Sequence, residues 1–307
     1  MIHELPLERR TLHGHFSRDL EPVLSVDSGD SVEFATLDAG WGLEGGLWDR
    51  RKFEPRDRRL DRGHALVGPI EVRGARTGGT LAVTVERLRV GTFGFTGAGG
   101  WRSFLNTRLG LDRGDMTTLL WTVDADAGTA TDQHGHTVDL RPFLGVMGMP
   151  PPEPGVHPTA PPRVHGGNLD CAELVQGSTL YLPIPVDGAR FSAGDGHARQ
   201  GDGEVSGMAI ECPMEQVRLR LDLRDDLPVR TPVARTEDAW VVLGVDRDVD
   251  RAVAAAVDGM LDVMARMHGL ERREALALAS VVVDVRVTQM VNGVRGAHAI
   301  LRDDALR

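Results

Sequence analysis

Two clusters of potential metal ligands lie between His165 and Glu211. The first reads His165-Gly-Gly-Asn168-Leu-Asp170, and the second Gly194-Asp195-Gly-His197-Ala-Arg-Gln200-Gly-Asp202-Gly-Glu204. Imidazoles with several carboxylates make a mixed nitrogen–oxygen donor set. Such a set suits zinc or another borderline divalent ion, with calcium or magnesium at any carboxylate-only position. A cation with one open position lowers the pKa of bound water and polarises a carbonyl oxygen. Hydrolysis of an unactivated amide in water lacks both effects. Glu204 or Glu211 is placed to take the water proton and hand it to the leaving ammonia. His165, Asp170, Asp195 and His197 are the main candidate ligands. Asp38 is a further one, because it leaves a strand into the loop Ala39-Gly40-Trp41.

Plainer roles compete for each residue. Asp195-Gly and Asp202-Gly are common turn pairs. His64 reads as structural. His13, His15, His134 and His136 fall in predicted strands and turns with no partner carboxylate pattern, and are set aside. Cys171 and Cys212 lack an adjacent histidine arrangement for thiol catalysis and read as buried packing residues. Ser178 and Ser192 carry no nucleophile-elbow signature.

Strands must position these side chains. Ser178–Val186 separates the two clusters, and its prolines place it at a sheet edge or the rim of a barrel. Upstream, Thr11–Phe16 and Val23–Phe34 are predicted strands, the latter turning at Ser28-Gly29-Asp30. Trp48–Gly63 is a charged surface loop. Ile70–Val90 reads as a hairpin turning at Thr77-Gly78-Gly79. Gly91–Gly100, with Phe93, Phe95 and Trp101, reads as a glycine-rich lid or pocket wall. No Lys-Ser/Thr helix start follows it, which argues against phosphate binding. Met116–Val123 and Thr137–Leu140 form a predicted strand pair. Leu144–Pro162 is proline-rich and reads as an ordered loop that wraps the site and delivers the chain to His165, with Met147 and Met149 in the apolar wall. Val217–Leu223 and Trp240–Val245 are strands. Asp248–His268 is a helix stopped by Gly269, Glu271–Ser280 a second helix, and Val281–Val291 a closing strand. Helices are late and few. The fold class is therefore α+β and β-rich, with mainly antiparallel strands in a barrel-like or sandwich core and not a doubly wound nucleotide fold.

With 307 residues the chain has core enough for one large domain. It is read as a single domain, or as two interlocked subdomains, about 1–143 and 163–307, joined by the Pro-rich segment 144–162. The formal charge of −10 disfavours nucleic acid and anionic membranes as partners. Two cysteines suit a reducing cytoplasm better than a disulfide framework. The charged start MIHELPLERR has no signal-peptide pattern, and no apolar run is long enough to span a bilayer.

These residues resemble the acetamidase/formamidase family. The resemblance is carried by Gly68-Pro69-Ile70 with Gly74-Ala75, by the His165–Asp170 block, and by the run from Leu180 to Val205 through Pro183, Phe191, Gly194-Asp195, His197-Ala198, Gln200-Gly201 and Gly203-Glu204. Near the end it is carried by Glu274-Ala275, Ser280, Asp284, Thr288-Gln289 and Val291-Asn292. It implies a β-rich fold, a homodimer or larger assembly, a divalent metal and hydrolysis of short aliphatic amides to carboxylate and ammonia; the donor set itself suits zinc first, with calcium as a second ion. His165, Asp170, Asp195 and His197 match family motif positions, and Asp38 matches by its place at a strand end. On this reading Asn168 or Gln200 holds the amide through its donor and acceptor pair. The competing readings are a non-catalytic or divergent member with a structural metal, and a hydrolase of another C–N bond such as an N-formyl or cyclic amide.

Overall fold

The computed structural model describes residues 1–46 and 50–306. Trp48 and Asp49, which open the predicted loop, lie outside the described residues. Three sheets carry the fold. A nine-stranded sheet runs in the order Ile2–Leu5, Asp30–Phe34, Met214–Arg224, Thr80–Val90, Thr179–Pro183, Val233–Arg235, Ala239–Asp246, Arg295–Arg302, Val283–Gln289. A six-stranded sheet runs Gly166–Asn168, Phe143–Gly148, Phe191–His197, Leu66–Val72, Leu12–His13, with Leu24–Val26 also on Leu66–Val72. The strands Thr137–Asp139, Thr129–Asp132, Thr117–Asp124 and Phe93–Ala98 form the third. Pairing is antiparallel throughout, apart from Ile2–Leu5 and Leu24–Val26. The fold is α+β and β-rich as expected, with no closed barrel among the described residues.

Local chemistry explains the helix Val249–His268. The Asp248 side chain accepts the Arg251 N–H at 3.1 Å, and Gly269 takes the left-handed conformation that ends the helix. Its buried stripe, Ala252, Ala256, Met260, Leu261 and Met264, closes a second core against the far half of the large sheet. Each fully buried methionine or leucine there contributes roughly 1.5–3 kcal/mol. No helix among the described residues is long and apolar enough to cross a membrane.

Three expectations of pairing are corrected. Leu66–Val72 and Thr80–Val90 are both strands but do not form a hairpin, because they lie in different sheets. The hydrogen bonds of their connection go to the segment after Thr179–Pro183: Gly78 N–H to Ile184 O at 2.9 Å, and Val72 N–H to Gly188 O at 3.0 Å. Thr179–Pro183 is not an edge strand, since Thr80–Val90 and Val233–Arg235 flank it and its prolines fall at and beyond its end. Thr117–Asp124 and Thr137–Asp139 do not pair; Thr129–Asp132 lies between them.

The six-stranded sheet positions the chemistry. Phe143–Gly148 lies next to the edge strand, between Gly166–Asn168 and Phe191–His197, so both candidate ligand clusters meet across one strand.

Candidate functional site

Side chains two residues apart on a strand share a face. Asp195 and His197, on Phe191–His197, therefore project together. Asp170 follows the short strand Gly166–Asn168 on the opposite flank of Phe143–Gly148. One donor atom from each of Asp170, Asp195 and His197 lies within 4.8 Å of the others, the only such histidine, cysteine or carboxylate group of three or more among the described residues. Glu211 joins them, with Oε2 3.4 Å from His197 Nε2, as does Asp195 Oδ1 at 3.4 Å. Phe143 meets the His197 ring edge-on at 4.9 Å between centroids.

Gly145 makes this convergence possible. It lies between the Leu144–Gly196 and Val146–Gly194 pairs, opposite Asp195. A Cβ there would sit 2.5 Å from Asp195 Oδ2, 2.8 Å from Asp170 Oδ1 and 2.9 Å from His197 Cε1. The space among the three candidate ligands exists because residue 145 has no side chain.

The site also concentrates backbone strain. Among the described residues, seven non-glycine residues have positive φ, and five of them (Trp41, Asp170, Asp195, Glu204 and Asn292) line one cavity of about 770 Å³. Residues held in sparsely populated backbone regions cost of order 1–3 kcal/mol each and cluster where function needs them. Asn168, Glu204 and Glu211 line the same cavity, as do His15, His64 and Arg50.

Electrostatics state the same demand for a cation. Asp170, Asp195, Glu204 and Glu211 surround one imidazole, and all five groups are buried. Burial drives Asp170 up to about 8 and pushes Glu204 and Glu211 upward too, neighbouring carboxylates adding to the effect. Burial also works against ionisation of Asp195 and His197. It is outweighed by charge attraction: His197 holds Asp195 below the usual carboxylate range, and Glu211 and then Asp195 hold His197 well above the usual histidine range. Asp170 Oδ1, Asp195 Oδ1, His197 Nδ1, Glu204 Oε2 and Glu211 Oε2 are buried without a hydrogen-bond partner. Orphaned buried polar atoms are rare and need an explanation. An acceptor-rich set with excess negative charge fits a divalent cation, whose binding releases the protons that otherwise compensate that charge.

Other expected site residues are placed differently. Asp38 is fully buried, but both its oxygens are taken by the Arg50 guanidinium, and Oδ1 also accepts the N–H groups of Gly40 at 2.8 Å and Gly42 at 3.0 Å. His165 lies outside the triad, with Nδ1 2.8 Å from Met149 O, and burial lowers its pKa to about 4. Gln200 does not line the cavity; its side-chain N–H donates to Asp170 O at 2.8 Å and so holds the backbone of a candidate ligand. Asn168 does line it, donating to Ala160 O at 3.1 Å and leaving Oδ1 unpaired. The expected glycine-rich lid is largely the strand Phe93–Ala98; only its Phe95 reaches the cavity, under Arg50 at 4.7 Å. Met147 and Met149 are core residues, whereas Val156–Ala160 of the proline-rich loop forms part of the cavity wall.

Asn292 was not anticipated as a site residue. Its side-chain N–H groups donate to Asp170 Oδ2 at 3.3 Å and Gln289 Oε1 at 3.1 Å. Both cysteines are free and buried, and burial pushes the Cys171 thiol up to about 12 and Cys212 higher still, which disfavours the thiolate a nucleophile needs. Ser192 Oγ pairs with His13 Nε2 at 2.9 Å, but both residues are buried and neither lines the cavity.

Comparison with known proteins adds a family. The sequence pattern of the acetamidase/formamidase family matches residues 3–155 and 153–300. A formamidase of Methylophilus methylotrophus is 27% identical over 254 residues, covering 64% of this chain and 60% of that protein. The match thus spans less than two thirds of that curated relative's length. Crystal structures extend further: an acetamidase from Bacillus halodurans superimposes with a TM-score of 0.85 at 27% identity, covering 97% of each chain. An acetamidase from Yersinia enterocolitica gives 0.86 at 26% identity, covering 100% of this chain and 93% of the other. The chain belongs to the acetamidase/formamidase family.

Proposed function

We propose that this protein hydrolyses a short aliphatic amide to carboxylate and ammonia, with Asp170, Asp195 and His197 holding a divalent cation. The observation that carries this reading is the convergence of five unpaired buried side-chain atoms on one cavity. One nitrogen and two carboxylate donors favour zinc, and the surplus carboxylate oxygens suit a harder second ion such as calcium. When bound, such a cation lowers the pKa of water and polarises the substrate carbonyl.

The chain's own groups do the rest. Glu204 is the general base: its Oε2 is unpaired, and its raised pKa suits a group that takes a proton and gives it back. Glu211 is the less mobile candidate, since Oε1 accepts the Ala209 N–H at 3.0 Å and Oε2 borders His197. Asn168 Oδ1 is free to accept an amide N–H and orient the substrate. Phe95 and Trp41 supply apolar wall. The reading includes a homodimer or larger assembly in a reducing cytoplasm, which two buried free cysteines suit. It takes the chain as a single domain, because the large sheet draws strands from both sides of segment 144–162.

A second reading, a larger or cyclic amide or an N-formyl amine, is favoured by the cavity itself. About 770 Å³ is far more than acetamide needs and lies high in the range of roughly 300–1,000 Å³ for small-molecule sites. Ammonia or amine release from formamide, acetamide, propionamide, a lactam and a formylated amine separates the two. The Asp195→Asn and His197→Gln variants should lose turnover and bound metal together. Full activity with full metal in either variant would remove that residue from the site.

A further inference from the structure

The cavity carries a second polar group that the mechanism above leaves unused. His15 lines it, and His15 Nδ1 lies 2.9 Å from Asp61 Oδ1. The carboxylate is itself fixed: Oδ1 accepts the Gly14 N–H at 2.7 Å and Oδ2 accepts the Asp57 N–H at 2.8 Å. Burial raises the pKa of Asp61, but the hydrogen bonds from His15, Gly14 and Asp57 outweigh it and hold it at about 2. Asp61 is therefore an anion at any working pH, so His15 carries a proton on Nδ1. That leaves Nε2, which has no hydrogen-bond partner among the described residues, for the cavity.

The pair is built into the fold. Gly63 N–H donates to Gly14 O at 2.9 Å, and a Cβ on Gly14 would meet the Asp61 backbone at 2.7 Å. The chain thus clamps the His15 loop onto the Asp61 loop. The His13 ring sets its edge against His15 at 6.2 Å between centroids, and His13 is held by Ser192. A second Asp–His pair, Asp132 Oδ2 with His136 Nδ1 at 2.9 Å, shows what a solvated version looks like: the His136 side chain is 75% exposed and stands outside this cavity, whereas the His15 side chain is 7% exposed.

We propose that His15 is a catalytic proton donor to the leaving nitrogen, with Asp61 as its positioning residue. This rests on the amide-hydrolysis reading. In the attack, the glutamate carboxylate takes a proton from water as the water oxygen bonds to the amide carbon. In the collapse, the C–N bond breaks and its electron pair stays on nitrogen. The glutamate's proton passes through solvent to His15 Nε2, and from Nε2 to that nitrogen, which leaves as ammonia; the ring starts and ends neutral, so only water and amide are consumed.

The test is steady-state ammonia release from acetamide, or from the best amide of the panel, by the metal-loaded protein and its variants. His15→Gln should lower kcat by about 10²–10³-fold with KM and metal content unchanged. Asp61→Asn, which misorients the ring without removing it, should lower kcat less. His15→Ala should be partly restored by added imidazole, a rescue that a purely structural role would not show. Unchanged kcat in His15→Gln, or a loss that imidazole does not restore, overturns the assignment. No release by the unaltered protein from any amide fails the amide reading itself, and the dyad's role with it.

Discussion

Gly145 offers the sharpest quantitative test of how the site is made. No positive φ is involved, so alanine fits the backbone, and the whole effect of Gly145→Ala comes from one added carbon. Ordinary van der Waals contact begins near 3.4 Å, so the new methyl is about 0.9 Å too close to Asp195 Oδ2 and about 0.6 Å too close to Asp170 Oδ1. The neighbours are short, buried side chains on paired strands and cannot swing clear as a flexible chain end would. Overpacking of this kind costs about 1–3 kcal/mol of stability. Its functional cost is larger. Moving ligands by most of an ångström should weaken cation binding by about 10–100-fold, the range seen when a metal site's supporting groups are altered. A misplacement of about 1 Å costs about 100-fold in rate. The assay pairs metal analysis after dialysis against a defined free-zinc concentration with kcat at saturating metal. A Gly145→Ala protein that is folded, binds metal with unaltered affinity and turns over at the full rate would refute the argument that the glycine holds space for the site.

Other substitutions probe the surroundings. Asp38→Asn leaves the buried Arg50 guanidinium without its counter-charge and should cost about 3 kcal/mol in urea unfolding, while metal content stays intact; loss of metal would restore Asp38 as a ligand. Cys171→Ala and Cys212→Ala should keep kcat within about two-fold, and iodoacetamide should not inactivate the native protein, because thiols so shifted by burial are not thiolates. His13 titrates at about 4 when folded, because burial opposes its charge, and near 6.5 when unfolded. The unfolded chain binds the proton first, so His13 costs nothing above pH 6.5 and lowers stability by about 3 kcal/mol in all as pH falls to 4. His13→Gln should flatten the fall in unfolding free energy across that window by about this amount, and an unchanged slope would show that His13 is not its source.

Sequence patterns revealed elements well wherever a local signal was complete. The helix Val249–His268 announces itself through Asp248, its apolar spacing and Gly269. Asp195 and His197 could be read as candidate ligands because their cluster is local in the sequence. By contrast, Phe191–His197 spells FSAGDGH, too small and polar to look like a strand buried along its whole length. Strand pairing was less legible. The chain between Leu66–Val72 and Thr80–Val90 looks like a hairpin turn, and only its long-range bonds to Ile184 and Gly188 send the strands to different sheets. The same reason hid half the site. His15 and Asp61 stand 46 residues apart, and Asn292 reaches Asp170 across 122. Gly145 was hidden further by reading Leu144–Pro162 as a loop: residues 143–148 are a buried strand, and what its glycine leaves room for depends on what lies opposite.

The central claim is that Asp170, Asp195 and His197 hold a cation on which amide hydrolysis depends. The measurement that meets it most directly is a titration of chelator-stripped protein with zinc while ammonia release from acetamide is recorded. Turnover should be absent from stripped protein, rise in proportion to bound zinc and level off when the triad is filled, with Asp195→Asn showing neither binding nor turnover. Ammonia release at the full rate from protein shown to be metal-free would contradict the account.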